Sequence, residues 1–420
     1  MIFTLDVRPA RKGDCLLVHF GQPAARGLAV IDGGPSHVYQ PQLKPRLEAI
    51  RSGCGTPAAA LPIDLLMVSH IDDDHIAGVL ELTGELVEAQ RAKRPPPIRL
   101  RRLWHNTFDD IIGNDPAQLI AGVTAKYGPA SLSDESDTSG LDPDVAMVLA
   151  SVAQGRQLRD DARALKLVVN PEFAGGLVRA VKGSKAIDVG KGLKLTVVGP
   201  MQAELAALQA AHDAYLTSGN RRPATAALAA FTDGSAPNLS SIVVLAEVSR
   251  KRMLLTGDGR GDRILAGLEL TGLLKRGQSL HIDVLKMPHH GSDRNMDRSF
   301  LERVTADHYV FSGNGQHGNP ERATLEMLLA ARDQTAPYLV HLTYPVAEID
   351  EARRADWQKE QKKEKARKRY APETCVRDDW SAARHALAAL FDDHPQFADK
   401  LRIASSDQPH LIELLDPVGL

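Results

Sequence analysis

The stretch "IDLLMVSHIDDDHIAGV", residues 63–79, ends an apolar run in the cluster "HIDDDH", which holds two histidines and three aspartates. The run over 63–70 predicts a strand buried on both faces, and helical spacing begins after His75. One aspartate would suit a helix N-terminus, so three of them between two histidines exceed what helix capping requires. Imidazole nitrogens and carboxylate oxygens are ligands of divalent metals. The stretch therefore predicts a metal site at the end of a buried strand.

Three later strand–loop units repeat this pattern and supply Asp258, His289, His290 and His317. Taken singly, the glycine-flanked Asp258 and the loop residue His317 also suit ordinary turns. Loops at one edge of a sheet often converge on one site. Four units with histidine or aspartate at the same polar end therefore favour a shared site.

The composition is that of a soluble globular protein. The 420 residues are 43% hydrophobic and 25% charged, with a formal net charge of −2 that demands no anionic partner. Three widely spaced cysteines fit a reducing compartment better than a disulfide framework. We find neither a signal-peptide pattern nor an apolar run near the roughly 20 residues that span a bilayer. We therefore expect a cytoplasmic protein without a membrane segment.

The order of elements predicts an α/β protein with two sheets and helices outside them. Strand patterns come first, and strands alternate with helical patterns after residue 240. We assign residues 1–345 to one hydrolase-like domain, with a helical insert at about 105–185. Residues 346–420 form a C-terminal extension that is basic, because 351–370 hold nine Lys/Arg and four Asp/Glu.

Together these motifs resemble the metallo-β-lactamase fold superfamily, whose signature is H-x-H-x-D-H. Here residues 70–75 place Asp72 where the second histidine usually stands. That variant is similar to the ComEC/Rec2-related branch, the hydrolase domain of DNA-uptake channel proteins. The stretches "KGDCLLV" (12–18), "VIDGGP" (30–35) and "NLSSIVVL" (238–245) are further features of that branch. The resemblance covers roughly residues 1–345, and the membrane channel is absent.

The resemblance implies an αββα sandwich of the metallo-β-lactamase type, with a metal site between the sheet edges. The implied metal ligands are His70, Asp72, Asp74, His75, Asp258, His289 and His317. Where the superfamily has a further histidine, this chain has Asn238 and Ser241, which offer a weaker neutral ligand or none. The site is thus rich in oxygen, so we expect two divalent ions, Zn²⁺ or Mn²⁺, with Mg²⁺ as a further candidate.

Two such metals suit phosphodiester hydrolysis, because they activate water and stabilise the oxygens of the displacement. We expect Asp74 to orient the attacking water. His290 or His317, whichever is not a ligand, can protonate the leaving oxygen. Asp32, at the "VIDGG" turn, is expected to hold a ligand histidine in place.

Two basic stretches, residues 91–102 and 359–369, indicate a nucleic-acid substrate. Basic stretches of this kind are more often the solvated face of a helix. The candidate contacts are Arg99, Arg101, Arg102, Lys365, Arg367, Lys368 and Arg369. We therefore predict a phosphodiesterase or nuclease acting on DNA or RNA. Two alternatives stay open: a hydrolase of a small phosphodiester, cyclic nucleotide, thioester or lactone, and a latent effector that a protein partner or a protease activates. The oligomeric state is left open.

Overall fold

A computed structural model describes residues 1–53, 59–107, 143–206, 240–405 and 408–419, with the backbone alone for 143–152. Two expectations fall partly or wholly outside these residues. They are Asn238 and residues 108–142 of the helical insert expected at about 105–185. Residues 203–216 also have a composition that favours a helix; residues 202–206 are helical, and 207–216 lie outside the described residues.

The first sheet has six strands among the described residues, in the order β16-β1-β2-β3-β5-β7. Strands β1 to β3 are antiparallel, whereas β3, β5 and β7 are parallel. A small separate sheet pairs β4 with β6. The bounds are β1 Ile2–Val7, β2 Leu16–Gln22, β3 Ala25–Ile31, β4 Leu61–Ile63, β5 Leu65–Met67, β6 Ile98–Leu100, β7 Leu103–Trp104 and β16 His410–Glu413.

The second sheet has eight strands in the described part of the chain, in the order β15-β14-β13-β12-β11-β10-β9-β8. Strands β8 to β11 are antiparallel, and β11 to β15 are parallel. The bounds are β8 Ile187–Gly190, β9 Leu193–Gly199, β10 Val243–Val248, β11 Lys251–Leu255, β12 Leu280–Lys286, β13 Val304–Phe311, β14 Leu339–Leu342 and β15 Leu401–Ile403.

Most of the helices bury one apolar face, whereas the long helix that begins at Val346 is largely polar. Their bounds are α1 Lys44–Gly53, α2 Asp73–Arg91, α3 Pro143–Ala164, α4 Gly261–Thr271, α5 Arg298–Arg303, α6 Arg322–Ala331, α7 Val346–Lys368, α8 Ala382–His385, α9 Leu387–Asp393 and α10 Pro395–Ala398. None of these helices is both long enough and apolar enough to cross a bilayer.

The two sheets pack against each other through one apolar cluster that contains Phe3 and Val18 from the first sheet and Val244 and Leu255 from the second. The opposite face of the first sheet packs on α1 and α2. The opposite face of the second sheet packs on helices that include α4, α5, α6 and α9. The expected α/β class is confirmed, and strands that are buried on both faces provide its core.

The strand expected at 63–70 is divided in two, because Asp64 interrupts the apolar run. Its carboxylate accepts hydrogen bonds from the Leu28 amide at 3.1 Å, from Arg101 at 2.7 Å and from Lys191 at 2.8 Å. As a result, β4 pairs with β6, and β5 pairs with β3 and β7. Residues 380–391, whose sequence favours a single helix, belong to the two helices α8 and α9, because Ala386 between them has an extended backbone.

The C-terminal extension is built into both sheets. Strand β15 pairs in parallel with β14 at the edge of the second sheet, and β16 pairs antiparallel with β1 at the edge of the first. In the sequence, the 23-residue helix α7 follows β14 and precedes these two strands. Its C-terminal half is rich in lysine and largely exposed. Residues on both sides of the domain boundary expected at 346 therefore belong to the same sheets. The boundary itself stays a prediction.

A chain of three histidines joins the two sheets near these edge strands. His308 Nδ1 lies 2.9 Å from His341 Nε2, and His341 Nδ1 lies 2.8 Å from His410 Nε2. Neutral imidazoles satisfy both contacts, because each has one donor and one acceptor nitrogen. Burial, together with the imidazoles of His410 and His308, lowers the pKa of His341 to about 2. We conclude that the central ring is neutral in the folded protein.

Candidate metal centre

Asp258 lies at the meeting point of three loops, each of which follows the C-terminal end of a strand. Its Oδ1 is 3.2 Å from His75 Nε2 and 3.4 Å from His290 Nε2, and its Oδ2 is 3.7 Å from His70 Nε2. All four side chains are buried. Strands β11 and β12 are parallel, so the loops that carry Asp258 and His290 leave the second sheet at the same edge. Helix α2 brings His75 to the same place from the first sheet.

Three partly exposed side chains border this buried group. Asp72 Oδ2 lies 3.5 Å from His70 Nε2, Asp74 Oδ2 lies 3.8 Å from His290 Nε2, and His289 Nε2 lies 3.5 Å from Asp258 Oδ2. Their side chains are 18%, 20% and 27% exposed, respectively. Solvent therefore reaches the cluster through Asp72, Asp74 and His289. The remaining aspartate, Asp73, turns away and accepts a hydrogen bond from Gln154 at 3.0 Å.

Asp72 occupies the N-cap position of α2 but makes no capping hydrogen bond with its side chain. The helix-capping explanation of this acidic stretch therefore does not account for Asp72.

The donor atoms fit a divalent cation. Among the described residues, the Nε2 atoms of His70, His75 and His290 and the Oδ1 atom of Asp258 are buried without a hydrogen-bond partner. A buried polar atom left unsatisfied costs about 1–3 kcal/mol. Ligand atoms of Asp74, His75, Asp258 and His290 lie within 4.8 Å of one another. A cation bound among them would accept lone pairs from these atoms and remove that cost.

Asp32 and Ser69 fix the ring of His75 at Nδ1, on the side away from the cluster. Asp32 Oδ2 lies 2.9 Å from His75 Nδ1, and both Asp32 oxygens accept hydrogen bonds from Ser69, one from its amide and one from its hydroxyl, at 2.7 Å each. With Nδ1–H donated to the carboxylate, Nε2 presents a lone pair to the cluster. Asp32 adopts a left-handed backbone conformation with φ of 58°, which is uncommon for a residue other than glycine. Asp32 therefore lies behind a histidine, where the sequence analysis expected it.

A second carboxylate, which the sequence analysis missed, holds His290 in a similar way. Asp14 Oδ1 lies 3.2 Å from His290 Nδ1 and accepts a hydrogen bond from the Ser312 hydroxyl at 2.5 Å. Asp14 Oδ2 forms an ion pair with the ammonium of Lys286, whose side chain is fully buried. Burial acts to raise the pKa of Asp14, but Lys286 and His290 outweigh burial and lower the pKa well below its usual range. The signal for Asp14 in the sequence was its place between a turn and an apolar strand.

The backbone of this region is strained and tightly packed. His289 and His290 are consecutive left-handed residues with φ of 46° and 55°. Such conformations persist when the surroundings over-determine them, and they concentrate at functional sites. At Gly13, a Cβ atom would lie 1.8 Å from the Asp74 carbonyl oxygen, so only glycine fits. This close approach brings the turn that carries Asp14 against the start of α2.

Charges within the cluster shift several pKa values. Burial acts to lower the pKa of His75, but the carboxylates of Asp258 and Asp32 outweigh burial and raise it well above its usual value. Burial likewise opposes the rise in the pKa of His290 that Asp258 and Asp14 cause. Burial raises the pKa of Asp258, yet the neighbouring imidazoles of His289, His75 and His290 lower it overall. In the absence of a cation, the imidazoles therefore tend to hold protons that a bound metal would displace.

The remaining predicted site residues lie at varying distances from this centre. The Ser241 hydroxyl accepts a hydrogen bond from the Asp258 amide at 3.3 Å, so it supports the turn that carries Asp258. His317 lies in the loop after β13 and is exposed. It is within electrostatic range of Asp74 and Lys12, and also of Lys359 on helix α7. Within the described residues, the groups that can hold a cation do not include His317.

The predicted nucleic-acid contacts divide into two groups. Arg101 pairs with Asp64 at 2.7 Å, and Arg102 pairs with Glu172 at 2.6 Å, so both have structural partners, whereas Arg99 is exposed on β6. The second group is exposed at the C-terminal end of α7 and comprises Lys365, Arg367, Lys368 and Arg369. Cations at that end also favour the helix dipole, so their presence does not by itself require a ligand.

Comparison with known proteins leaves the family open. No family model matches the chain. A stretch of 59 residues is 39% identical to microtubule-associated protein 1A of rat and of mouse, and a match of the same length and identity is found with the human protein. Each match covers 14% of this chain and 2% of the microtubule-associated protein. The chain thus spans a very small part of those relatives, and the likeness assigns it to no family.

Proposed function

We propose that this chain is a metal-dependent hydrolase of the metallo-β-lactamase fold that cleaves phosphodiester bonds in DNA or RNA. The observation that carries the proposal is the set of buried, unsatisfied atoms of His70, His75, His290 and Asp258, which face one another at the edges of two sheets. The packing of helix, sheet, sheet and helix supports the fold, and the resemblance of "HIDDDH" to the superfamily signature supports the class.

The balance of charge supports two divalent cations. Among the described residues the centre gathers five carboxylates, which are Asp14, Asp32, Asp72, Asp74 and Asp258. The buried ammonium of Lys286 neutralises one of these charges. Two divalent ions would neutralise the other four, whereas uncompensated buried charge is very costly. The oxygen-rich donor set suits Mn²⁺ as well as Zn²⁺.

Side chains of the protein itself would take the other catalytic roles. Two bound cations would supply activation of water and stabilisation of the phosphate oxygens. Asp74 is partly exposed beside the buried ligands, so its carboxylate can orient the attacking water and accept its proton. His290 Nδ1 faces Asp14 and Ser312, which leaves Nε2 to bind a cation rather than to donate a proton. We therefore assign His290 to cation binding, which leaves His317 as the candidate for protonation of the leaving oxygen. Partial burial of its ring and the Lys12 ammonium lower the pKa of His317, so the negative charge of a bound phosphate would be needed to keep the ring protonated.

Helix α7 supports a nucleic-acid substrate. Two of its residues, Asp356 and Lys359, lie within electrostatic range of His317, so the basic half of the helix begins near the His317 loop. Residues 351–370 carry five more positive than negative charges, which suits contact with a phosphate backbone without sequence preference. Arg353 fastens the helix to the His317 loop through a hydrogen bond to the Gly318 carbonyl at 3.1 Å.

The test is hydrolysis by purified protein supplied with Mn²⁺, Zn²⁺ or Mg²⁺, with and without chelator. Plasmid DNA, single-stranded DNA, RNA and small phosphodiesters, including cyclic nucleotides, are compared. We expect chelator-sensitive cleavage of a nucleic acid that the Asp74→Asn variant lacks. Cleavage of the small substrates alone would favour the alternative hydrolase, and inertness toward every phosphodiester with all three metals would refute the proposal.

A further inference from the structure

We propose that Asp14, Lys286 and Ser312 form a buried positioning unit that fixes His290 and the turn of Asp258 for cation binding. This inference rests on the proposed metal centre and goes beyond it, because the buried, unsatisfied atoms that would bind the cations belong to His70, His75, His290 and Asp258 and to none of these three residues. The three residues contribute instead by holding two of those ligands in place. Their polar atoms come from three separate parts of the chain, and all three side chains are buried.

The carboxylate of Asp14 has both oxygens engaged. Oδ1 accepts from Ser312 at 2.5 Å and lies 3.2 Å from His290 Nδ1, while Oδ2 pairs with Lys286. The Ser312 hydroxyl also lies 2.9 Å from His290 Nδ1. Two acceptors therefore surround this nitrogen, which fixes both the orientation of the ring and the tautomer with a proton on Nδ1.

Lys286 connects this carboxylate to the turn of Asp258. It is the last residue of β12 and donates a hydrogen bond to the Gly257 carbonyl at 3.2 Å. Gly257 directly precedes Asp258 and has φ of 49°, so the turn depends on a left-handed residue that an external donor holds in place. One ammonium thus restrains the peptide that presents Asp258 and neutralises the carboxylate that orients His290.

The unit of Asp14, Lys286 and Ser312 differs in net charge from the pair of Asp32 and Ser69 that contacts His75. Asp32 is engaged by neutral Ser69 donors, whereas Asp14 is paired with a cation. Ligand atoms of Asp14, Asp32 and His75 lie within 4.8 Å of one another, which would itself attract a cation. Lys286 supplies a resident positive charge there, so the metals are directed to the group around Asp258.

The experiment titrates metal-free full-length protein with Zn²⁺ by calorimetry and records its melting temperature in chelator. The variants are Ser312→Ala, Ser312→Thr, Asp14→Asn and the double variant Asp14→Asn/Lys286→Met. We expect Zn²⁺ affinity to fall about 10- to 100-fold in Ser312→Ala, with recovery in Ser312→Thr, because loss of groups that orient a ligand has this effect. Metal-free Ser312→Ala should melt close to the wild type.

The double variant separates positioning from stability. Asp14→Asn alone leaves Lys286 buried and unpaired, so it should melt at a lower temperature. Adding Lys286→Met should restore the melting temperature but leave the weakened Zn²⁺ affinity. If the wild type binds Zn²⁺ and both Ser312→Ala and the double variant bind it equally tightly, the positioning unit is refuted while the metal centre stands. A wild type that binds no Zn²⁺, Mn²⁺ or Mg²⁺ overturns both.

Discussion

Replacement of Asp258 by asparagine should abolish cation binding while leaving the fold in place. The Asp258 carboxylate is 3.2 to 3.7 Å from the imidazoles of His75, His290, His289 and His70, so it lies among all the histidines of the centre. Asparagine has nearly the same shape but lacks the charge. The side chain is buried, and therefore solvent cannot replace what the substitution removes.

The size of the effect follows from the loss of one charge beside a cation. Two unit charges about 4 Å apart interact by about 4 kcal/mol at an effective dielectric constant of about 20. A loss of about 4 kcal/mol weakens binding roughly a thousandfold. Metal at about 100 times the wild-type Kd would stabilise the wild type by about 2.7 kcal/mol per site, but the variant by less than about 0.1 kcal/mol.

The assay is thermal unfolding with and without added Mn²⁺ or Zn²⁺, together with metal analysis of the purified proteins. Asp262→Asn is the matched control, because Asp262 lies four residues further on and its 44% exposed side chain pairs with Arg260. We expect the metal-dependent rise in melting temperature in the wild type and the control alone. An Asp258→Asn protein with full metal content and the full rise would show that this carboxylate is not at the centre of the site.

Three further outcomes follow from the structure. Asp74→Asn should lower kcat about 10²- to 10⁴-fold and also weaken metal binding, because Asp74 offers a ligand atom beside its role toward water; a steady-state assay at saturating metal, paired with metal analysis, checks this, and an unchanged kcat at saturating metal counts against the assigned role. The contribution of His341 to stability should fall by about 2 kcal/mol between pH 7.5 and pH 5, because its ring stays neutral in the fold while the unfolded ring gains a proton below about pH 6.5; urea unfolding at both pH values should therefore give a change in stability that is about 2 kcal/mol less unfavourable in His341→Leu than in the wild type, and equal changes would contradict the assignment. Removal of residues after 350 should prevent folding, since β15 and β16 are lost; a folded truncated protein with raised activity would instead support the latent effector.

Much of this architecture could be predicted from the sequence, because it follows from local patterns. Strand patterns come first in the sequence, where β1, β2 and β3 lie, and the side chains of His70, Asp258 and His290 come together as their places at the ends of predicted strands indicated. The division of 63–70 was not predictable from periodicity, because it depends on distant partners of Asp64.

The groups behind His290 were missed for the same reason. Ser312 meets Asp14 across 298 positions of the chain, and no local pattern connects them. Lys286 is the last residue of β12, where a lysine is ordinarily expected to reach solvent. Its burial depends on the carboxylate of Asp14, which lies far away in the sequence and pairs with its ammonium.

The pairing of β16 with β1 has a consequence for synthesis of the protein on the ribosome. One edge of β1 stays open until residues 410–413 have been translated, and β14 likewise waits for β15. Contacts so distant along the chain slow folding, and unpaired strand edges favour aggregation in the meantime. Both sheets should therefore complete their edges only after β15 and β16 have been synthesised.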